Sequence, residues 1–195
     1  MKNRIITISR EFGSGGRSIG KAVAEALGIP CYDNELLKEI AVESGFNEKY
    51  VEDAGEYAPG GFLASAFSHQ APGPNNADYL WKIQYRLITE LAEKGSCVIV
   101  GRCADYILRG RKDMLSVFIH APMELRIQRI SRVRNVEEDA ARSLIKKTDR
   151  QRANYYNFYA DNDWGAADSY DVAINSGKLG VEKSIEVLAG ICEHL

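Results

Sequence analysis

Gly13, Gly15 and Gly16 stand in a run of nine residues that also holds Arg10, Glu11, Arg17 and Ser18. Glycines at this density let a chain turn tightly, with φ values closed to other residues, so that successive backbone N–H groups converge on one anion. The phosphate-binding pattern is G-x-x-x-x-G-K-[ST] between a strand and a helix. Here Gly16 takes the final glycine, Arg17 stands where lysine is expected and Ser18 supplies the hydroxyl, while Glu11 occupies the place of the first glycine. The pattern is broken twice, yet the chemistry survives. Gly13, Ser14, Gly15, Gly16, Arg17 and Ser18 become the expected phosphate-binding set, with Arg17 as a charge near the β- and γ-phosphates and Ser18 as a Mg²⁺ ligand. The alternative is a glycine-rich turn with no ligand; its place between a strand and a helix favours phosphate.

The surrounding pattern must hold that loop in place. Arg4 to Ser9 reads as a buried first strand, and the helix after the loop, beginning near Arg17, closes at Gly28 and Pro30. Cys31-Tyr32 reads as a very short strand, with Asp33 capping the helix that follows. Further strands are expected at Cys97 to Val100, Leu115 to His120 and Asp171 to Asn175, with helices over Asp78 to Lys94 and Val181 to Cys192. Strands alternating with helices predict an α/β fold with a parallel sheet covered on both faces, and ligands at the carboxyl ends of its strands. Ala58 to Asn76 holds Pro59, Pro72 and Pro74, and reads as a long functional connection.

Composition narrows the class without identifying a function. The 195 residues carry 25 Lys+Arg against 27 Asp+Glu, a near balance that opposes a surface built for nucleic acid. No apolar run approaches a membrane span and no leader is evident, so a cytoplasmic protein is expected, with no membrane partner. Cys31, Cys97, Cys103 and Cys192 are scattered away from His69, His120 and His194, which argues for reduced thiols and against a zinc site.

Ser9 to Gly16, followed by Ile19-Gly20, resembles the opening of the cytidylate kinase-like proteins, P-loop proteins related to nucleoside monophosphate kinases. The resemblance continues through Tyr32-Asp33, Gly101-Arg102 with Asp105, a basic middle segment, and Tyr170 to Ser176. It implies a single P-loop NTPase domain over residues 1–195, three-layered α/β/α on a five-stranded parallel sheet, using ATP and Mg²⁺. It also implies an acceptor-side insert over about 33–94 and a helical lid over about 126–152.

The remaining candidates divide between acceptor and lid. Arg102 follows a strand and could grip a monophosphate through two parallel bonds, or could form a structural ion pair with Asp105 or Asp33. Asp33 either caps its helix or meets the acceptor. In true cytidylate kinases acidic residues flank the matching Gly-Arg; this chain has Val100 and Cys103, with Asp105 nearby, which leaves the acceptor open. By resemblance, Asp149-Arg150-Gln151-Arg152 is the lid segment that reaches the phosphates. Arg152 leads, followed by Arg129 and Arg150, and Ser176 lies near the nucleotide. Arg17, Arg129 and Arg152 are thus the expected catalytic residues, and Asp33, Arg102, Asp105, Asp149 and Arg150 the expected acceptor contacts. Tyr155, Tyr156 and Tyr159 recur at helical spacing and read as packing, although stacking on nucleic acid bases is the alternative. The reading is an ATP-dependent kinase of a small acceptor such as a nucleoside monophosphate. Its alternatives are a kinase of another small molecule and a nucleotide-binding regulator without turnover.

Overall fold

The computed structural model describes residues 4–54 and 76–193, so most of the proline-rich connection over 58–76 lies outside the described residues. Five strands, β1 (Ile5–Arg10), β2 (Cys31–Tyr32), β3 (Cys97–Val100), β4 (Met114–His120) and β5 (Val172–Asn175), form one sheet in the order β2-β3-β1-β4-β5. Every pairing is parallel, with Ile5 opposite both Cys97 and Met114. This is the α/β P-loop fold expected from the alternation of short apolar runs and helical patterns.

Side chains alternate across the pleat, so β1 builds two cores. Ile6 and Ile8 turn to one face with Val98, Val100, Val117 and Ile119, and are covered by Ile19 and Val23 of α1 (Gly16–Leu27) and Leu188 of α9 (Val181–Glu193). Ile5, Cys97 and Ile99 turn to the other face, covered by α2 (Asn34–Ser44), α3 (Glu48–Ala54) and α4 (Asn76–Lys94). Each fully buried isoleucine or leucine contributes about 1.5–3 kcal/mol through removal from water, so the strand ends rest on a rigid base.

A short helix α5 (Ala104–Ile107) follows β3. Beyond β4, α6 (Met123–Arg134) and α7 (Glu138–Tyr159) form a hairpin turned at Asn135, whose φ of 52° is left-handed. Its own core is Ile127, Ile130, Ala141 and Ile145. Ser176-Gly177-Lys178, after β5, forms part of the short helix α8 (Ser176–Leu179). Among the described residues no helix is long and apolar enough to cross a membrane.

Candidate active site

The loop between β1 and α1 is folded on itself before it meets any ligand. The Ser14 N–H and hydroxyl both donate to the Glu11 carbonyl, at 3.3 and 2.9 Å. Gly15, with φ 86°, is the N-cap, and α1 starts at Gly16, one residue earlier than expected. The first turn of α1 carries no acidic side chain, so the positive end of its dipole remains available to an anion. The loop's backbone therefore fits the phosphates of a nucleotide. Arg17 does not stand over it: its guanidinium pairs with Asp33. Asp33 does occupy the N-cap position of α2, but its side chain makes no capping bond. From the hairpin Arg129 reaches the start of α1, its Nη2 donating to Ser18 Oγ at 3.2 Å.

The hairpin is fastened to this loop by a buried ionic joint. Arg126, only 5% exposed, reaches Asp149 and, at 3.4 Å, Glu11. Asp149 also accepts from the Phe12 N–H at 2.7 Å, and Glu11 accepts from the Ala121 N–H at 3.0 Å. Glu11, the residue that breaks the strict motif, is thus a structural tie. Asp149, expected at the acceptor, has both oxygens engaged by the loop and Arg126. Ser176 plays a similar part, its hydroxyl lying 2.6 Å from the Ser14 carbonyl and 3.1 Å from that of His120.

A cleft of about 540 Å³ runs from the loop to the carboxyl end of β3. It collects Arg17, Asp33, Arg102, Arg129 and Arg152 of the expected residues, and adds Arg10 and Lys147. Basic side chains dominate its wall, which attracts phosphates. Arg152 donates to the Arg10 carbonyl at 3.2 Å and lies 5.5 Å from the Phe12 ring centre. Arg102 sits in a left-handed conformation (φ 59°), and its carbonyl accepts from Gln84 at 3.0 Å. Arg150 is exposed and is not among the residues lining the cleft. A second cavity, of about 250 Å³, opens on the other side of the loop between Leu125, Gln128 and Arg132 of α6 and Gly177 and Val181.

Asp105 is drawn away from the cleft. It is 5% exposed, and its carboxylate accepts from the Tyr156 hydroxyl at 2.7 Å and from Ser9 at 3.5 Å. Burial raises its pKa above the ordinary carboxylate value, and the Tyr156 bond offsets this only in part. The raised value favours the fold most at low pH. That contribution is lost as pH rises from the unfolded carboxylate value, 3.8, through the folded one. Asp105→Asn removes this loss, so the stability of the wild type relative to the variant should fall between pH 3.5 and neutrality. Urea titrations at both pH values measure it, and a constant difference would contradict the assignment.

The tyrosines pack as their spacing suggests. Tyr155 and Tyr156 are buried with Cys103 and Ala160, and Tyr159 stacks on Trp81 at 3.9 Å and 4°. Arg10, Glu11 and Arg126 are the site residues that sequence reasoning missed. Glu11 carried a signal, since it stands where a glycine was expected.

No group of three or more His, Cys, Asp or Glu among the described residues could hold a metal ion. A Mg²⁺ ion here would use Ser18, with nucleotide phosphates and water supplying its other ligands, which suits a cation that retains much of its water.

Residues 5–178 match the model of the cytidylate kinase-like family. A cytidylate kinase of Methanocaldococcus jannaschii is 27% identical over 195 residues, covering 98% of both chains. The crystal structure of an uncharacterised protein from Eubacterium ventriosum superposes with a TM-score of 0.76 at 31% identity, covering 98% of this chain and 99% of that one. A shikimate kinase from Bacteroides thetaiotaomicron shares the fold at a TM-score of 0.57 and 16% identity, covering 97% of this chain and 98% of its own.

Proposed function

The chain belongs to the cytidylate kinase-like family, and on that premise we propose that it transfers the γ-phosphoryl group of ATP to a nucleoside monophosphate, with CMP as the first candidate. The observation that carries this reading is the single cleft in which the phosphate loop, Arg102 and the hairpin arginines Arg129 and Arg152 meet. The loop N–H groups and the α1 terminus hold the donor phosphates. Arg102 and Arg152 hold the acceptor phosphate, and the Arg17–Asp33 pair lies along the same wall. An oxygen of that acceptor phosphate attacks the γ-phosphorus. The bond from that phosphorus to the bridging oxygen breaks, and ADP leaves with the electron pair. Arg129 stabilises the charge spread over the transferring group. Mg²⁺, when bound through Ser18, neutralises charge on the β- and γ-phosphates.

The segments around 33–94 and 126–152 act as acceptor insert and lid in this reading. The α6–α7 hairpin closes over the loop and excludes water during transfer. The test is ADP formation from ATP and Mg²⁺ with a panel of nucleoside monophosphates, shikimate and gluconate. A monophosphate should raise the rate well above that of ATP alone. Stimulation by a neutral or carboxylate acceptor alone would reassign the acceptor, and tight ATP binding with no stimulated turnover would favour a regulatory role.

A further inference from the structure

Gly16 presents a puzzle that its backbone does not answer. It is the first residue of a regular helix and lies outside the positive-φ glycines, so any L-residue could adopt its conformation. The constraint is spatial. A Cβ built on Gly16 would meet Arg10 Cβ at 2.5 Å and Cγ at 3.0 Å. A Cβ on Gly101 would lie 2.2 Å from Arg10 Nη1 and 2.9 Å from its Cζ. The stem of Arg10 therefore passes over Gly16, and its head lies against Gly101, the residue immediately before Arg102. Two glycines, one in the phosphate loop and one after β3, clear a channel for one arginine.

That channel delivers the Arg10 guanidinium to a particular place. Arg10, Arg102 and Arg152 line the main cleft together, and line a smaller cavity of about 50 Å³ behind it with Ser9, Tyr155 and Tyr156. Arg152 is tied to the Arg10 backbone. The three residues come from β1, from the β3 end and from α7, so three separate elements bring arginines to the wall of one cavity. Such an arrangement suits a tetrahedral dianion with several acceptor oxygens better than a single carboxylate or a neutral hydroxyl.

We propose that Arg10, threaded between Gly16 and Gly101, is a phosphate-gripping residue of the acceptor site that restricts acceptors to phosphate monoesters. The inference rests on the kinase reading above and adds to it a specificity residue on the first strand. Arg10 reads the phosphate of the acceptor and takes no part in holding ATP.

Calorimetric titration of CMP and of cytidine into the protein saturated with a non-hydrolysable ATP analogue and Mg²⁺ tests this. The wild type should bind CMP far more tightly than cytidine. Arg10→Gln should weaken CMP by about 10- to 100-fold, the size of a lost charged hydrogen-bonding group, with affinity for the ATP analogue within about twofold. Arg10→Lys keeps the charge without the fork and should fall between them, which guards against misfolding of the glutamine variant. An unchanged CMP affinity in Arg10→Gln overturns the proposal while leaving the kinase reading intact. A wild type that binds the ATP analogue yet does not distinguish CMP from cytidine overturns both this proposal and the nucleoside monophosphate acceptor of the kinase reading. Failure of the wild type to bind the ATP analogue overturns the kinase reading itself, and this inference with it.

Discussion

Arg126→Met should destabilise the protein by about 3 kcal/mol, the lower end of the cost of breaking a buried ion pair. The lower end applies because Arg126 is buried while the Glu11 and Asp149 carboxylates it leaves are only partly so. Arg126 is 5% exposed, and its guanidinium reaches both Glu11 and Asp149. Methionine replaces much of the stem's volume, so the loss isolates the charge. For a chain of this length the melting temperature should drop by on the order of 10 °C. The effect should extend to function, because Asp149 holds the Phe12 N–H and Glu11 holds the Ala121 N–H on either side of the loop. Affinity for an ATP analogue should therefore fall together with stability. Adding Asp149→Asn to the same variant should restore part of the stability, since it removes one of the stranded charges. Thermal unfolding of the two single variants and the double variant measures this; strictly additive losses would show that the joint is not coupled.

Arg129→Ala should lower kcat by about 10²–10³-fold, the usual effect of removing one preorganised donor from a charge-developing site. Its guanidinium lies over the loop: Nη1 would be 2.9 Å from a Cβ on Gly15, and Nη2 donates to Ser18. Unlike Arg126, it is only half-buried and packs in no core, so the fold should survive its removal. The KM for ATP should change much less than kcat, because the charge it meets develops on the transferring group. Arg129→Lys should recover part of the rate, whereas Lys146→Ala, on the exposed side of α7, should leave it unchanged. Equal losses from Arg129→Ala and Lys146→Ala would mean that the hairpin's general charge matters, and not this residue.

The fold was readable because its signals are local. The β-branched run Ile5 to Ile8, the glycines after it and the closing Gly28 each act on their own neighbours in the chain. The phosphate loop was readable for the same reason. What remained hidden depends on residues distant in sequence. Nothing near Asp105 announces that Tyr156 will arrive to bury it, or that Asp149 will lock onto Phe12 across 137 positions. Motif register puts Arg17 over the loop, but the helix begins at Gly16 and Arg17 pairs with Asp33. Asp33, for which the sequence leaves capping and an acceptor contact both open, stands at the N-cap without a side-chain capping bond and pairs with Arg17. The glycine density of the loop suggests a backbone requirement at Gly16, yet it lies outside the positive-φ glycines. Its reason lies in the path of Arg10, whose stem fills the space above the glycine.

The transfer itself is tested most directly by following the label from [γ-³²P]ATP in the presence of Mg²⁺ and CMP. The label should appear in a nucleoside diphosphate, with one ADP formed for each labelled product. Label that stays in ATP, or is released only as inorganic phosphate, would contradict phosphoryl transfer to this acceptor.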